Sequence, residues 1–315
     1  METFQLNILG CGSALPTTKH FLSSQVLNVR EKLYMIDCGE GSQLRFRMMK
    51  LRFQRLNHIF LSHLHGDHCF GLIGLISTLN LLGRTADLHI YAQADAQKVF
   101  RPMLDYFCKE MTYCVVFHDF DPTKNEVIFE DRSLTVSTIP LKHRVPTAGF
   151  LFSEKPKQPH IIREMIDFYQ IPVSQIAAIK QGENFVTPEG QVIDHSRLTR
   201  PAEPSFRYAY CSDTAYSEKI IPMIEGVDLL YHEATFAEAD RVRAKETGHS
   251  SAKQAAMIAR QANVEKLLLG HFSARYLDET ILLDEACEIF PNTFLATEGV
   301  VHRFTSQPLP YHRMG

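Results

Sequence analysis

Four side chains that are able to bind a metal ion lie within six residues of one another in the first quarter of the chain. They are three imidazoles and a carboxylate, His63, His65, Asp67 and His68. Neutral imidazoles and carboxylates suit zinc and neighbouring divalent ions. The alternative is a chance cluster of surface histidines, which so many ligand-type groups in so short a segment make improbable. The segment therefore predicts a metal site.

The residues around this motif predict how it is positioned. The apolar run 59–61 is short and rich in β-branched and aromatic residues, which is typical of a buried strand. Histidines two apart in an extended segment point to the same side, and a turn at Gly66 lets Asp67 and His68 fold back towards them. The helical zinc motif His-Glu-x-x-His is absent from the sequence. We therefore expect a site built at a strand end.

Further ligand-type residues follow other predicted strands. His143, Asp213 and His271 each come at the end of an apolar segment. A lone histidine is more often structural, but the strand-end position of His143, between two basic residues, favours a ligand. Because polar residues that arrive at one edge of a sheet are the expected layout of an α/β active site, we expect these three to join the motif.

Two more polar residues belong to this pattern. Glu233 follows the predicted strand 227–232, and His249 precedes a predicted helix over 252–261, for which Ser250 or Ser251 is a natural N-cap. We expect both side chains to lie near the same edge of the sheet.

The segment 37–41, Asp-Cys-Gly-Glu-Gly, allows two interpretations. Asp37 ends the predicted strand 32–36 and precedes a predicted helix over 42–49. Its carboxylate could hold a ligand histidine in the correct tautomer, or it could cap that helix. The sequence leaves both open. The basic residues between Arg45 and Arg55 are more typical of a solvated face than of a phosphate contact.

The composition is that of a globular protein without an obvious nucleic-acid surface. The 315 residues suffice for one large domain or two ordinary ones, and the net charge of −3 limits any RNA-binding surface to a local patch. Seven scattered cysteines without a Cys-x-x-Cys pair predict reduced thiols. Without a signal-like start or an apolar run of about twenty residues, we expect a cytoplasmic protein that does not enter membranes.

The segment 153–207 differs from the rest. It is rich in proline, its charges are mixed, and one helix-like piece, 161–168, is recognisable. This pattern predicts an insertion that projects from the catalytic domain, residues 1–152 and 208–315. An ordinary surface excursion is the alternative.

With these residues the chain resembles the metallo-β-lactamase superfamily and, within it, the ribonuclease Z family, over nearly its whole length. The segments 37–41, 232–235 and 249–251 and the insertion are similar to ribonuclease Z in particular. Seven residues match the ligand positions of the superfamily: His63, His65, Asp67, His68, His143, Asp213 and His271.

The resemblance implies an α/β fold, a four-layer αβ/βα sandwich of two mostly mixed sheets with an inserted flexible arm. It also implies a zinc-dependent endoribonuclease that removes the 3′ trailer from precursor tRNA, and a homodimer in which the arm, 153–207, grips tRNA. The RNA contacts would include Lys19, Lys155, Lys157 and Lys180.

By the same resemblance, each subunit would bind two zinc ions, with Mn²⁺ or another divalent ion as alternatives. One zinc would take His63, His65 and His143, and the other would take Asp67, His68 and His271, with Asp213 bridging both. Two metals about 3.5–4 Å apart clamp the attacking and leaving oxygens of a phosphodiester displacement.

The resemblance also gives catalytic roles. Asp67 would accept a proton from the attacking water. Glu233 and His249 match the pair that stabilises the scissile phosphate and protonates the departing ribose oxygen; a buried structural hydrogen bond is the alternative for that pair. Family members that cleave at the discriminator usually carry Pro-x-Lys-x-Arg-Asn, whereas residues 16–21 here read Pro-Thr-Thr-Lys-His-Phe, so the sequence does not determine the cleavage position.

Two other functions stay open at the level of sequence. The first is a two-metal hydrolase of the same fold that acts on a small phosphodiester, lactone or thioester. The second is a non-catalytic relative that binds RNA. The long insertion argues against the first, and the complete set of ligand residues argues against the second.

Overall fold

The computed structural model describes residues 4–305, and within them the strands form two seven-stranded sheets and two short two-stranded ribbons. The strands are β1 (Phe4–Gly10), β2 (Ser24–Val29), β3 (Lys32–Ile36), β4 (Leu56–Phe60), β5 (Leu88–Ala92), β6 (Val115–Asp119), β7 (Val127–Glu130), β8 (Leu134–Pro140), β9 (Ala148–Glu154), β10 (His160–Ile161), β11 (Phe185–Val186), β12 (Val192–Ile193), β13 (Thr199–Arg200), β14 (Arg207–Cys211), β15 (Leu229–Glu233), β16 (Leu267–Gly270), β17 (Thr293–Leu295) and β18 (Val301–Arg303).

Each large sheet has a parallel half. The N-terminal sheet has the order β18-β1-β2-β3-β4-β5-β6, and β3 to β6 are parallel. The C-terminal sheet has the order β17-β16-β15-β14-β9-β8-β7, and β14 to β17 are parallel. Parallel strands end at the same edge, so the loops after them can build a common site.

The helices connect these strands. They are α1 (Ser42–Met48), α2 (Gly66–Cys69), α3 (Leu72–Leu81), α4 (Asp95–Phe107), α5 (Arg163–Tyr169), α6 (Val173–Lys180), α7 (His195–Leu198), α8 (Ile221–Ile224), α9 (Arg241–Thr247), α10 (Ala252–Gln261) and α11 (Thr280–Cys287), with short 3₁₀ turns at Phe53–Arg55, Glu218–Ile220 and Glu238–Asp240.

The two large sheets pack face to face, as alternation along β3 shows. Leu33 and Met35 join an apolar cluster with α1, α3 and α4, whereas Tyr34 and Ile36 join the cluster shared with the C-terminal sheet. Across that interface, the ring of Phe60 lies 5.7 Å from that of Phe150, measured between centroids. Both faces of each sheet are therefore covered, which gives the predicted four-layer αβ/βα sandwich.

Two helices follow the strand that precedes the metal motif. Residues 66–69 form α2, which carries Asp67 and His68 itself, and α3 begins only at Leu72. Gly71 lies between them, and its N–H donates to the carbonyl of Cys38 at 2.9 Å rather than to a helical partner. A Cβ at Gly71 would stand 2.2 Å from the carbonyl oxygen of Gly39. This close approach fixes α2 against the loop that follows β3.

The helix α10 begins and ends as the sequence predicts. Ser251 is the N-cap, and it forms a reciprocal capping box with Gln254. Five of its residues are buried against the C-terminal sheet, mostly alanines, which allow the helix to lie close to the strands.

Residues 154–205 form a compact unit of their own. The unit contains α5, α6, α7 and the ribbons β10–β13 and β11–β12. It has a small apolar core made of Ile171, Ile179, Phe185, Ile193 and Leu198. The sequence predicts the first of these helices but not α6, whose N-cap residue is Pro172. Among the described residues, no helix is long and apolar enough to cross a membrane.

Candidate metal centre

The loops after several strands bring the seven predicted ligand residues together at one edge of the sandwich. They fall into two groups, and within each group the potential ligand atoms all lie within 4.8 Å of one another. The first group consists of His63, His65 and His143, and the second of Asp67, His68, Asp213 and His271.

Asp213 stands between the two groups. Its Oδ2 lies 2.6 Å from Nε2 of His68 and 3.3 Å from Nε2 of His63, so one oxygen faces a member of each group. Its Oδ1 lies 3.4 Å from Nε2 of His271. The side chain is nearly inaccessible to solvent. A carboxylate in this position is suited to bridge two cations.

Hydrogen bonds to the Nδ1 atoms orient three of these imidazoles. His143 Nδ1 donates to the carbonyl of Gly248 at 2.9 Å, which requires that Nδ1 carries the proton and leaves Nε2 with its lone pair. His271 Nδ1 lies 2.9 Å from the hydroxyl of Thr235. His68 Nδ1 lies 2.7 Å from Oδ2 of Asp37. Metal-binding histidines are usually held in this way by their second nitrogen.

The contacts of Asp37 decide between the two interpretations of its role. Besides His68, its carboxylate accepts hydrogen bonds from the backbone N–H and hydroxyl of Ser62, at 2.7 and 2.9 Å, and from the hydroxyl of Tyr210 at 2.7 Å. The helix α1 begins after Gly41 without a side-chain cap. Asp37 is fully buried. It therefore orients a histidine of the site and does not cap the helix.

Three residues of the site adopt a backbone conformation that side chains other than glycine rarely take. The φ angles of Asp37, Asp213 and His271 are 56°, 58° and 59°. Each of them lies directly after a strand or one residue beyond it. Left-handed conformations of this kind are retained where surrounding contacts hold them, and they are often found at functional sites.

The charges at the site favour a cation. Burial lowers the pKa of His68, but the negative charges of Asp213, Asp37 and Asp67 outweigh burial and raise it well above its usual range. Burial raises the pKa of Asp67, but the neighbouring His68 and His271 lower it by more. The pKa of Asp67 therefore lies well below its usual range. A divalent cation would neutralise such a group of carboxylates.

The donor atoms fit a bound metal. Within residues 4–305, Nε2 of His63 and Nε2 of His143 are buried and have no hydrogen-bond partner. Buried nitrogen atoms normally find a partner, and a metal ion supplies one. Imidazole and carboxylate ligands in two adjacent groups therefore constitute a divalent metal site.

His249 and Glu233 form a pair beside the metal groups. Both carboxylate oxygens of Glu233 lie 3.1 Å from Nδ1 of His249. The same carboxylate accepts three further hydrogen bonds, from the N–H of Thr214 at 2.5 Å, the N–H of Ser250 at 3.1 Å and the hydroxyl of Thr235 at 2.6 Å. Burial lowers the pKa of His249, but the charge and hydrogen bond of Glu233 raise it to about 9. Glu233 is fully buried, so His249 is the member of the pair that reaches the cavity.

An open cavity of about 520 Å³ lies over the metal groups. Three arginines at its margin were not singled out from the sequence: Arg144, Arg243 and Arg275. The guanidinium of Arg275 lies 5.6 Å from the ring centroid of Phe236, another cavity residue. Arg144 could have been noticed in the sequence, because it directly follows the predicted ligand His143. Arg243 and Arg275 lie in segments without a ligand motif of their own.

Comparison with known proteins identifies the family. Ribonuclease Z of Bacteroides fragilis is 60% identical to this chain over 300 residues, which cover 95% of this chain and 99% of that protein. The chain belongs to the ribonuclease Z family. Ribonuclease Z of Porphyromonas gingivalis is 53% identical over 298 residues, which cover 95% and 98% of the two chains. A family model described as "Anti-Pycsar protein Apyc1" also matches residues 4–158.

Solved structures support the fold. Human tRNase Z, short form, superimposes with a TM-score of 0.68 at 23% identity and covers 97% of this chain and 100% of its own. The metallo-beta-lactamase fold protein YhfI from Bacillus subtilis gives a TM-score of 0.67 at 19% identity, with coverage of 96% and 100%. The predicted family and the predicted metallo-β-lactamase sandwich are thus confirmed.

The four lysines predicted to contact RNA lie in different surroundings. Lys19 forms an ion pair with Glu279 next to the cavity. The ammonium of Lys157 lies 3.4 Å from Glu154, and its side chain is only 5% exposed, so it is poorly placed to contact a phosphate. Lys155 and Lys180 belong, like Lys157, to the unit of residues 154–205, and Lys180 is the last residue of α6.

Proposed function

We propose that this chain is a zinc-dependent endoribonuclease that removes the 3′ trailer from precursor tRNA and leaves a 3′-hydroxyl on the tRNA. The observation that carries the proposal is the 60% identity to ribonuclease Z over 95% of the chain. Both groups of ligand residues are present in the part of the chain that the structure describes. We expect the enzyme to meet its substrate in the cytoplasm.

The two groups would each hold one zinc ion. His63, His65 and His143 would bind the first, and Asp67, His68 and His271 the second, with Asp213 shared between them. Mn²⁺ or another divalent ion also suits these nitrogen and oxygen donors. When bound, two such ions polarise the phosphate and supply an activated water to it.

Residues of the chain handle the protons of this reaction. Asp67 lines the cavity, and we assign to its carboxylate the acceptance of a proton from the attacking water. His249 also lines the cavity, on the side of Asp213, and we assign to it the protonation of the departing ribose oxygen. Glu233 does not reach the cavity; its part is to orient His249 and to keep the ring protonated.

The cavity margin and the inserted unit would bind the RNA. The guanidinium groups of Arg144, Arg243 and Arg275 offer hydrogen-bond donors and positive charge to phosphates. We infer that residues 154–205 bind precursor tRNA away from the scissile bond. The family resemblance supports this role and a homodimer as the functional state.

Cleavage of a precursor tRNA with a 3′ trailer, mapped to the nucleotide, tests the proposal. We expect a single cut near the discriminator that a chelator abolishes and that added zinc restores. Asp67→Ala should abolish turnover while the circular dichroism spectrum stays unchanged, and near-normal turnover would remove Asp67 from the mechanism. If the wild type hydrolyses a small phosphodiester but leaves the tRNA intact, the chain acts as one of the other two-metal hydrolases of this fold and the proposed activity is wrong.

A further inference from the structure

The loop between β1 and β2 forms one wall of the cavity over the metal groups. Ser13, Ala14 and Leu15 line the cavity, and residues 14–19 are exposed to solvent. At the base of the loop, the N–H of Ser13 donates to the carbonyl of Phe272 at 3.0 Å, directly after His271. The base is thus fixed by backbone contacts, but the exposed part needs a further anchor.

That anchor is a chain of charges around His20. Nδ1 of His20 lies 3.2 Å from both carboxylate oxygens of Glu298, and Nε2 lies 3.1 Å from Oε1 of Glu279. Lys19 also pairs with Glu279, and its ammonium donates to the carbonyl of Leu277 at 3.0 Å. We call Lys19, His20, Glu279 and Glu298 the His20 clamp.

The clamp is charged and largely shielded from water. The side chains of His20, Glu279 and Glu298 are at most 14% exposed. Both ring nitrogens of His20 face carboxylates, so both can donate only if the ring is an imidazolium. Burial lowers the pKa of His20, but Glu298 and Glu279 outweigh burial and raise it. Hydrogen bonds between ionised partners are stronger than neutral ones.

The clamp joins the two sides of the cavity. Glu279 ends the segment 271–279, which begins with His271 and contributes Ser273, Ala274 and Arg275 to the cavity. Glu298 accepts the N–H of Phe21 at 2.9 Å and so also fixes the point where the loop returns to β2. Through these contacts, the clamp sets the position of the loop relative to the opposite wall.

A metal ion is the competing explanation for this cluster. Sγ of Cys11 lies 3.5 Å from Nδ1 of His20 and 3.5 Å from Oε1 of Glu298, so three potential ligands converge. However, Sγ of Cys11 also lies 3.5 Å from the carbonyl oxygen of Ala296, a contact in which the thiol keeps its proton and donates it. Both nitrogens of His20 are also engaged by carboxylates. The contacts therefore favour a clamp over a third metal site.

We propose that the His20 clamp positions the loop of residues 13–19 for the acceptor end of the RNA, and that His20 is a positioning residue for affinity and for the choice of the scissile bond. The inference rests on the proposed function.

The test compares His20→Gln, Glu298→Gln and the double variant with the wild type. Each single variant should raise KM for precursor tRNA about tenfold, which is the scale of one charge-assisted hydrogen bond, and should make the cut position heterogeneous. Hydrolysis of bis(4-nitrophenyl) phosphate and the metal content should stay unchanged. The double variant should be no worse than either single one, because the two residues act through one contact.

Two outcomes would overturn the proposal. The first is an equal loss on both substrates, which would make the cluster a support of the metal centre. The second is a loss of one metal equivalent in Cys11→Ser, which we expect to match the wild type in metal content and activity.

Amide hydrogen exchange over residues 12–21 separates this inference from the proposed function. Exchange should speed up in His20→Gln whether or not the wild type cleaves tRNA. Unchanged exchange would refute the clamp, whereas failure of the wild type to cut precursor tRNA would refute the proposed function only.

Discussion

Replacement of Asp37 by asparagine should weaken metal binding while the chain stays folded. The amide keeps an oxygen for the N–H of Ser62, but its NH₂ group then faces the hydroxyls of Ser62 and Tyr210 and Nδ1 of His68, which donate to the carboxylate in the wild type. The two hydroxyls can rotate. The imidazole has no such freedom, so His68 must take the other tautomer, with its proton on Nε2.

The size of the effect follows from that tautomer. Nε2 of His68 is the atom that faces Asp213 and Asp67, and a protonated Nε2 cannot bind a metal. Loss of such a supporting carboxylate costs about 10–100-fold in metal affinity. This corresponds to about 1.4–2.7 kcal/mol of binding free energy. The second ligand group should be affected more than the first, because His68 contacts Asp37 directly, whereas His63 is linked to it through the hydroxyl of Ser62.

The assay is a chelator competition followed by measurement of the metal content per chain. Asp37→Asn should release one of two metal equivalents at a chelator concentration at which the wild type keeps both. Asp131→Asn is the matched control. Asp131 also accepts a hydrogen bond from a tyrosine, the hydroxyl of Tyr34 at 3.0 Å, but it pairs with Lys32 instead of a histidine. An equal loss of metal in both variants, or none in Asp37→Asn, would refute the reasoning.

Three further predictions concern the inserted unit, the proton donor and the packing of α2 and α3. Replacement of residues 155–204 by a short Gly-Ser turn should leave the sandwich folded, because β9 and β14 are neighbouring antiparallel strands. In this variant KM for precursor tRNA should rise about tenfold or more, while hydrolysis of bis(4-nitrophenyl) phosphate persists. Glu233→Gln should slow single-turnover cleavage about 10–100-fold without weakening tRNA binding, because general acid catalysis by His249 contributes at least that much; an unchanged rate would exclude the pair. Gly71→Ala should destabilise the fold by about 1–3 kcal/mol, measured by urea unfolding, because its Cβ would overlap a backbone carbonyl. The control is Gly74→Ala, inside α3, where the added Cβ faces only the flexible end of a glutamine and should be neutral or stabilising.

The sequence by itself determined the family, and it predicted the residues that the structure brings together in two groups. The motif at 63–68 and the strand-end positions of His143, Asp213 and His271 were legible because ligand chemistry and strand periodicity are local properties of the chain. The helix α10 and its Ser251 cap followed from local signals in the same way.

Only the tertiary structure decided which residues support the site. The sequence offered Asp37 as a possible partner of a ligand histidine and, by resemblance, paired Glu233 with His249, but only the structure shows that Asp37 meets His68 and that Glu233 holds Nδ1 of His249. The His20 clamp depends on Glu279 and Glu298, more than 250 residues further along the chain. Local patterns cannot reveal such pairs, because the energy of a buried charge contact depends on which carboxylate the fold brings to which imidazole, and that is a property of packing rather than of spacing.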